Sequence, residues 1–163
     1  MLFRSMKKFF VVLGVLFLAL VVAGGAFIGW SAWQGGRLDA SSRAYVEANV
    51  PPILRTWSKD EMMSRASPQM RGDMEQNDDA LDAAFARLAT LGAFQRFDDV
   101  QGQSQTFFDA GKGRIVGATY TGSASFEHGQ AKVAVRLIRL DGQWKMQAFN
   151  VSSPSLTQQA SPP

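Results

Sequence analysis

The sequence predicts an α+β protein: an N-terminal transmembrane helix followed by helices packed on a curved antiparallel, cone-like sheet. Three observations carry this reading. An uncharged apolar run occupies Phe9–Trp33. Apolar residues then recur at helical spacing as far as Gly92, and beyond Gly92 the period changes to alternating, with β-branched and aromatic residues becoming frequent. Helices first and sequential strands afterwards make a layered α+β arrangement.

The apolar run, FFVVLGVLFLALVVAGGAFIGWSAW, has no polar stripe on any helical face. Its 25 residues would form a rod of roughly 37 Å, enough to cross a hydrocarbon core of about 30 Å. Arg4, Lys7 and Lys8 precede it, and positive charge stays on the cytoplasmic side. Trp30 and Trp33 stand at its far end, where indole rings favour the interface. The expected order is a cytoplasmic basic N-terminus (1–8), a span (9–33), a linker (34–39), an extracytoplasmic domain (40–153) and a disordered tail (154–163). The expected location is a bacterial inner membrane with the domain in the periplasm. A cleaved signal peptide is the competing reading, although the apolar core is longer than such peptides use. Gly25 and Gly29 form a small-xxx-small pair that would support a weak homodimer of anchors.

Charge and composition exclude several classes. Of 17 basic residues, the three before the apolar run leave 14 against 14 acidic ones in the rest of the chain. That part is neutral and has no basic run, so no nucleic-acid partner is expected. The chain has no cysteine, which removes disulfides, thiolate chemistry and Cys-ligated metals.

In the helical half, Asp39 or Ser41 is the candidate cap of a first helix. Pro51-Pro52 predicts a kink, or a second helix that starts near Pro52. Ser58-Lys-Asp-Glu61 has the S-x-x-E spacing of a capping box and predicts a short helix carrying Met62 and Met63, ended by Ser67-Pro68. Asp73–Asp79 reads as a polar loop. Leu81, Ala84, Phe85, Leu88 and Leu91 predict the next helix, closed by Gly92.

Five strands are predicted: Ala93–Val100, Ser104–Asp109, Arg114–Glu127, Ala131–Leu140 and Gln143–Ser152. His128-Gly129 and Asp141-Gly142 are the hairpin turns. The stretch from Tyr120 to Phe126, then Ala131–Leu140, Asp141-Gly142-Gln143-Trp144-Lys145-Met146 and Phe149-Asn-Val151 resembles the end of nuclear transport factor 2-like (cystatin-like cone, NTF2-like) domains. The resemblance implies a closing cone on a membrane anchor, of an uncharacterised bacterial type. More loosely, the arrangement resembles the periplasmic scaffold subunit of type IV secretion systems and the anchored assembly factors of cytochrome oxidase.

Enzymes of that superfamily work through Asp/His pairs in the cone, whereas the one histidine here, His128, falls in a turn. The acids Asp73, Glu75, Asp78, Asp79 and Asp82 lack the spacing of a calcium loop and suit a helix N-terminus. Met62, Met63, Met70 and Met74 raise copper(I) binding against ordinary packing. No catalytic residue, cofactor or metal is therefore assigned. Tyr45, Trp57, Phe85, Tyr120, Phe126 and Trp144 are the candidates either to line the cone pocket or to form the core. The expected function is a single-pass, membrane-anchored, non-catalytic binding or scaffold module with a protein partner in the same membrane. The alternative is a small apolar-ligand binding protein, or an enzyme, that uses the pocket.

Overall fold

A computed structural model of the chain describes residues 36–111 and 113–158. Helix α1 covers 36–56, and from Leu38 onward it belongs to the compact unit that holds the rest of the described chain. Leu38, Ser42, Val46, Val50, Ile53 and Leu54 recur every three or four residues and make its inward stripe; Ser42, Val46, Val50 and Ile53 are wholly buried. The helical pattern runs through Pro51-Pro52 without a break, where the sequence predicts a kink or a new helix. Core contacts of Val46 and Val50 before the prolines, and of Ile53 and Leu54 after them, hold both sides on one stripe. Local propensity yields to that packing.

α1 ends at Trp57, whose φ of 46° lies in the left-handed region and whose N–H donates to the Ile53 carbonyl at 2.8 Å. A glycine would adopt this conformation without steric cost; the tryptophan is held there by its rings. It stacks on Phe126 at 5.8 Å and meets Phe85 at 6.0 Å. Helix α2 (Lys59–Arg65) starts at Ser58, whose hydroxyl accepts from the Glu61 N–H in half of the predicted capping box.

Ser67-Pro68 does not only end a helix: it begins α3 (Pro68–Gln76), with Ser67 as N-cap and Pro68 in the first turn. The predicted loop at 73–79 is therefore mostly helix, because Met70 and Met74, four residues apart, bury one face together. α4 (Asp78–Ala89) follows at once, burying Phe85 and resting Leu81 and Leu88 on the core. Lys59 joins α2 to α4 through Asp78 at 2.5 Å and Asp82 at 2.9 Å, and those two hydrogen bonds push its pKa up. Gly92 closes α4 in the left-handed region, with φ 83°.

Four strands follow, β1 (Phe94–Asp109), β2 (Gly113–Phe126), β3 (Gly129–Leu140) and β4 (Gln143–Ser152), paired antiparallel in the order β1-β2-β3-β4. The first two predicted strands are one. An irregularity between Asp98 and Gln101, with Asp99 at φ 53°, lets the chain continue on the same edge of β2 instead of turning. Asp141 and Gly142, at φ 49° and 79°, make the β3–β4 turn with both central residues left-handed, as a two-residue type I′ hairpin requires. Helix α5 (Pro154–Gln158) lies where a tail is predicted, with Leu156 buried and its carbonyl accepting from Arg87 Nη2 at 2.7 Å.

The sheet divides its side chains strictly. Ala118, Tyr120, Ala124 and Phe126 of β2, Ala131, Val133, Val135 and Leu137 of β3, and Trp144 and Met146 of β4 are buried on the inner face with the helices. The residues between them point outward. α1 is locked to the inner face by polar contacts as well. The Ser42 hydroxyl lies 2.8 Å from that of Tyr120, and Trp144 Nε1 donates to Ser41 Oγ at 3.0 Å. Asp39, a predicted cap, instead turns its carboxylate to β1, accepting from the N–H and the hydroxyl of Ser104. Among the described residues no buried side-chain nitrogen or oxygen lacks a partner.

This architecture corrects two expectations. The α+β class is seen, but the four strands form an open sheet whose outer strands, β1 and β4, do not meet, so it is not the cone of an NTF2-like domain. Its outer edge at β4 carries a parallel bridge from Ala66 to Met146 and a bond from the Ser67 N–H to the Met146 carbonyl; helix connections, not a further strand, cover that edge. The anchored, periplasmic reading is corrected as well. No helix among the described residues is long and apolar enough to cross a membrane, so these residues give no support to an integral span or to the membrane partner, scaffold role and inner-membrane location drawn from it. The stretch 9–33 and the Gly25/Gly29 pair proposed to dimerise lie outside the described residues.

Candidate functional site

The six aromatic candidates are distributed over the core. Tyr120, Phe126, Phe85 and Trp144 are buried, and Tyr45 and Trp57 are half-buried against them. Trp57, Phe85 and Phe126 come together in one cluster, joined by Phe94, whose ring meets Phe126 edge-on at 5.8 Å. Tyr120 and Trp144 belong to the polar seam with α1. Burial pushes the Tyr45 phenol up from its ordinary pKa, against the opposing pull of the Arg65 charge. Met62, Met70 and Met74 are core residues and Met63 rests on them. His128 is exposed in the β2–β3 turn, and a Cβ on Gly92 would meet its ring, so the turn packs down on the end of α4. Among the described residues no three His, Cys, Asp or Glu side chains gather as a metal site.

The concavity lies elsewhere, on the sheet face away from the helices. A cleft of about 740 Å³ runs over the outward side of β1, β2 and β3, with the start of α3 closing one side. The register explains which residues form it. Phe107 pairs with Ile115, Gln105 with Gly117, Gly117 with Ile138, and Thr119 with Arg136; by alternation each is on the outward face. Phe107, Ile115, Ile138 and Leu140 give an apolar centre. Gln105, Thr119, Arg136 and Gln147 give a polar surround. Gly117 forms part of the floor, where a Cβ would approach a Phe107 ring carbon at 3.9 Å. Ile115, Ile138 and Leu140 are half-buried although no helix lies over this face among the described residues, whereas Phe107 at the cleft is 54 % exposed.

Chemically the cleft offers apolar area, amide and hydroxyl donors, and cations. Its lining includes Arg114, Arg136 and Arg139 and no carboxylate. Arg139 is engaged, with Nε donating to the Gly142 carbonyl at 3.2 Å and its guanidinium 5.9 Å from the Trp144 ring. Arg136 makes no hydrogen bond, ion pair or ring contact among the described residues.

Sequence reasoning missed this site because it sought aromatics inside a cone. The available signal was the outward series of β3, Ala134, Arg136, Ile138 and Leu140, which stops alternating cleanly between apolar and polar at its end. No family model matches the chain, and neither a curated protein nor a solved structure matches it, so no comparison supports the NTF2-like resemblance.

Proposed function

We propose that this chain is a small-ligand binding protein, and that the cleft on the uncovered sheet face seats the apolar body of the ligand. The observation that carries this reading is the half-buried apolar group Ile115, Ile138 and Leu140, walled by Phe107, on a face whose other outward residues are polar or small. A cleft of about 740 Å³ lies within the range of small-molecule sites, roughly 300–1,000 Å³. The interior aromatics leave the other pocket candidate occupied by their own side chains.

The reading is tested with the full-length chain and a neutral apolar fluorophore, N-phenyl-1-naphthylamine. Saturable emission gain is expected, weakened by Ile138→Gln, which places an amide in the apolar centre. A gain that Ile138→Gln leaves unchanged would place the probe elsewhere and refute the assignment.

A further inference from the structure

Resting on the reading of the cleft as a ligand seat, we infer that its ligand is an amphiphilic anion, a single-chain carboxylate whose headgroup is held by Arg136. The charge distribution of the outer face decides this. Across the sheet at the level of Arg136 the row reads Gln103, Thr119, Arg136, Ala148, and none of these is acidic. The next outward row adds Lys145, paired with Ile138, and further along β3 Lys132 lies in one row with Asp98, Ser123 and Ser152. Among the described residues no outward position of β2, β3 or β4 carries a carboxylate; β1 carries two, Asp98 at the register position of Ser123, where it pairs with Arg96, and Asp109 at that of Gly113, each beyond an end of the tract from Thr119 to Ile115. Elsewhere on this domain several basic side chains find acids or carbonyls: Lys59 has Asp78 and Asp82, Arg65 has Glu61, Arg96 has Asp98, and Arg87 has the Leu156 carbonyl. In the cleft, Arg136 has no such partner among the described residues.

An arginine fork presents paired N–H donors that match a carboxylate, and an apolar tract beside it supplies what a chain needs. From the level of Arg136 and Thr119 to that of Ile115 the strands run four residues, about 13 Å at the usual rise. That length, floored by Gly117 and walled by Ile138, Ile115 and Phe107, accommodates an extended acyl chain with its carboxylate at Arg136. A cationic amphiphile would meet Arg136, Lys145 and Lys132 with like charge. A neutral one would leave the guanidinium where it is and gain only the apolar part.

The experiment measures displacement of N-phenyl-1-naphthylamine from the full-length chain by decanoate, decanol and decyltrimethylammonium at equal ionic strength. Decanoate is expected to compete best, with roughly tenfold loss in Arg136→Gln and partial recovery in Arg136→Lys, the size of one charged hydrogen-bonded contact. Decanol is expected to be indifferent to both substitutions. Equal competition by decanoate and decanol would overturn the anion while leaving the cleft as a ligand seat. Decanoate affinity unchanged in Arg136→Gln would overturn the role of Arg136. A probe that binds through Ile138 and yields to neither decanoate nor decanol would also overturn the inference, whereas a probe that ignores Ile138→Gln overturns the seat itself.

Discussion

The two faces of the sheet are built from alternate residues of the same strands, yet they are different materials. On β3, Leu137 is 1 % exposed among the helices while its neighbours Arg136 and Ile138 face the other way. The inner face is complete: its apolar side chains interlock with α1 to α4, and its polar atoms, such as the Tyr120 and Ser42 hydroxyls, are paired with each other. The outer face is incomplete, with half-buried apolar residues that no helix among the described residues covers and a guanidinium without an acid. Completion on one side yields stability; incompletion on the other leaves interaction energy for something else to satisfy.

This contrast can be broken most strongly at adjacent positions of one strand. Leu137→Ala should cost about 2–5 kcal/mol in urea unfolding, because it removes a packed side chain and leaves a cavity. Arg136→Gln, one residue away, should stay within about 0.5 kcal/mol of the parent in the same assay, as an exposed substitution does. Comparable losses at both positions would show that the outer face is part of the core.

At the end of α1 the inner face tolerates backbone strain because its aromatics hold it. Trp57→Ala loses the stacking on Phe126 and Phe85 yet keeps a Cβ in the left-handed region. Trp57→Gly loses the same rings but relieves that strain. Both variants should be less stable than the parent, with the glycine variant recovering about 1 kcal/mol relative to alanine. Equal stabilities would mean that the backbone leaves the left-handed region once the rings are gone.

Tyr120→Phe should cost about 1 kcal/mol. The loss is limited because the Ser42 hydroxyl still reaches the Leu38 carbonyl at 2.8 Å. Thermal unfolding checks it, and a much larger loss would mark Tyr120 as the hinge of the whole α1 seam.

The smallest expected effect is alkaline. Tyr45 and Lys59 both hold their protons more tightly when folded, the first through burial and the second through Asp78 and Asp82. For each the folded pKa lies above the unfolded one. Their contribution is therefore intact below the unfolded values, near 10 for the phenol and 10.5 for the amine, and declines as pH rises through the folded ones. Tyr45→Phe should flatten part of the fall in melting temperature above pH 10 and leave the neutral value nearly unchanged.

Legibility in the sequence followed the range of the interactions. The Asp141-Gly142 turn, the Ser58 cap, the helix over Leu81–Leu88 and the alternation of Lys132–Leu137 each depend on residues a few positions apart, and each is where the sequence places it. The errors share a cause in distant contacts. Pro51-Pro52 does not interrupt α1 because the packing of Val46, Val50, Ile53 and Leu54 outweighs a local preference. The predicted loop at 73–79 is largely helical because Met70 and Met74 find a common core. Asp39 leaves its capping role for Ser104, 65 residues away. The candidate site was missed for the same reason, since Phe107, Ile115 and Ile138 become neighbours only through strand register.

By itself the sequence determined the α+β order, the alternation that gives the sheet two unlike faces and the absence of cysteine chemistry, because periodicity and composition are properties of the chain alone. The tertiary structure decided that the sheet stays open, that the aromatics fill the inner face, and that Arg136 stands without an acid beside an apolar cleft. Those outcomes depend on which strand edges meet and which side chains converge from distant positions. No local preference encodes them.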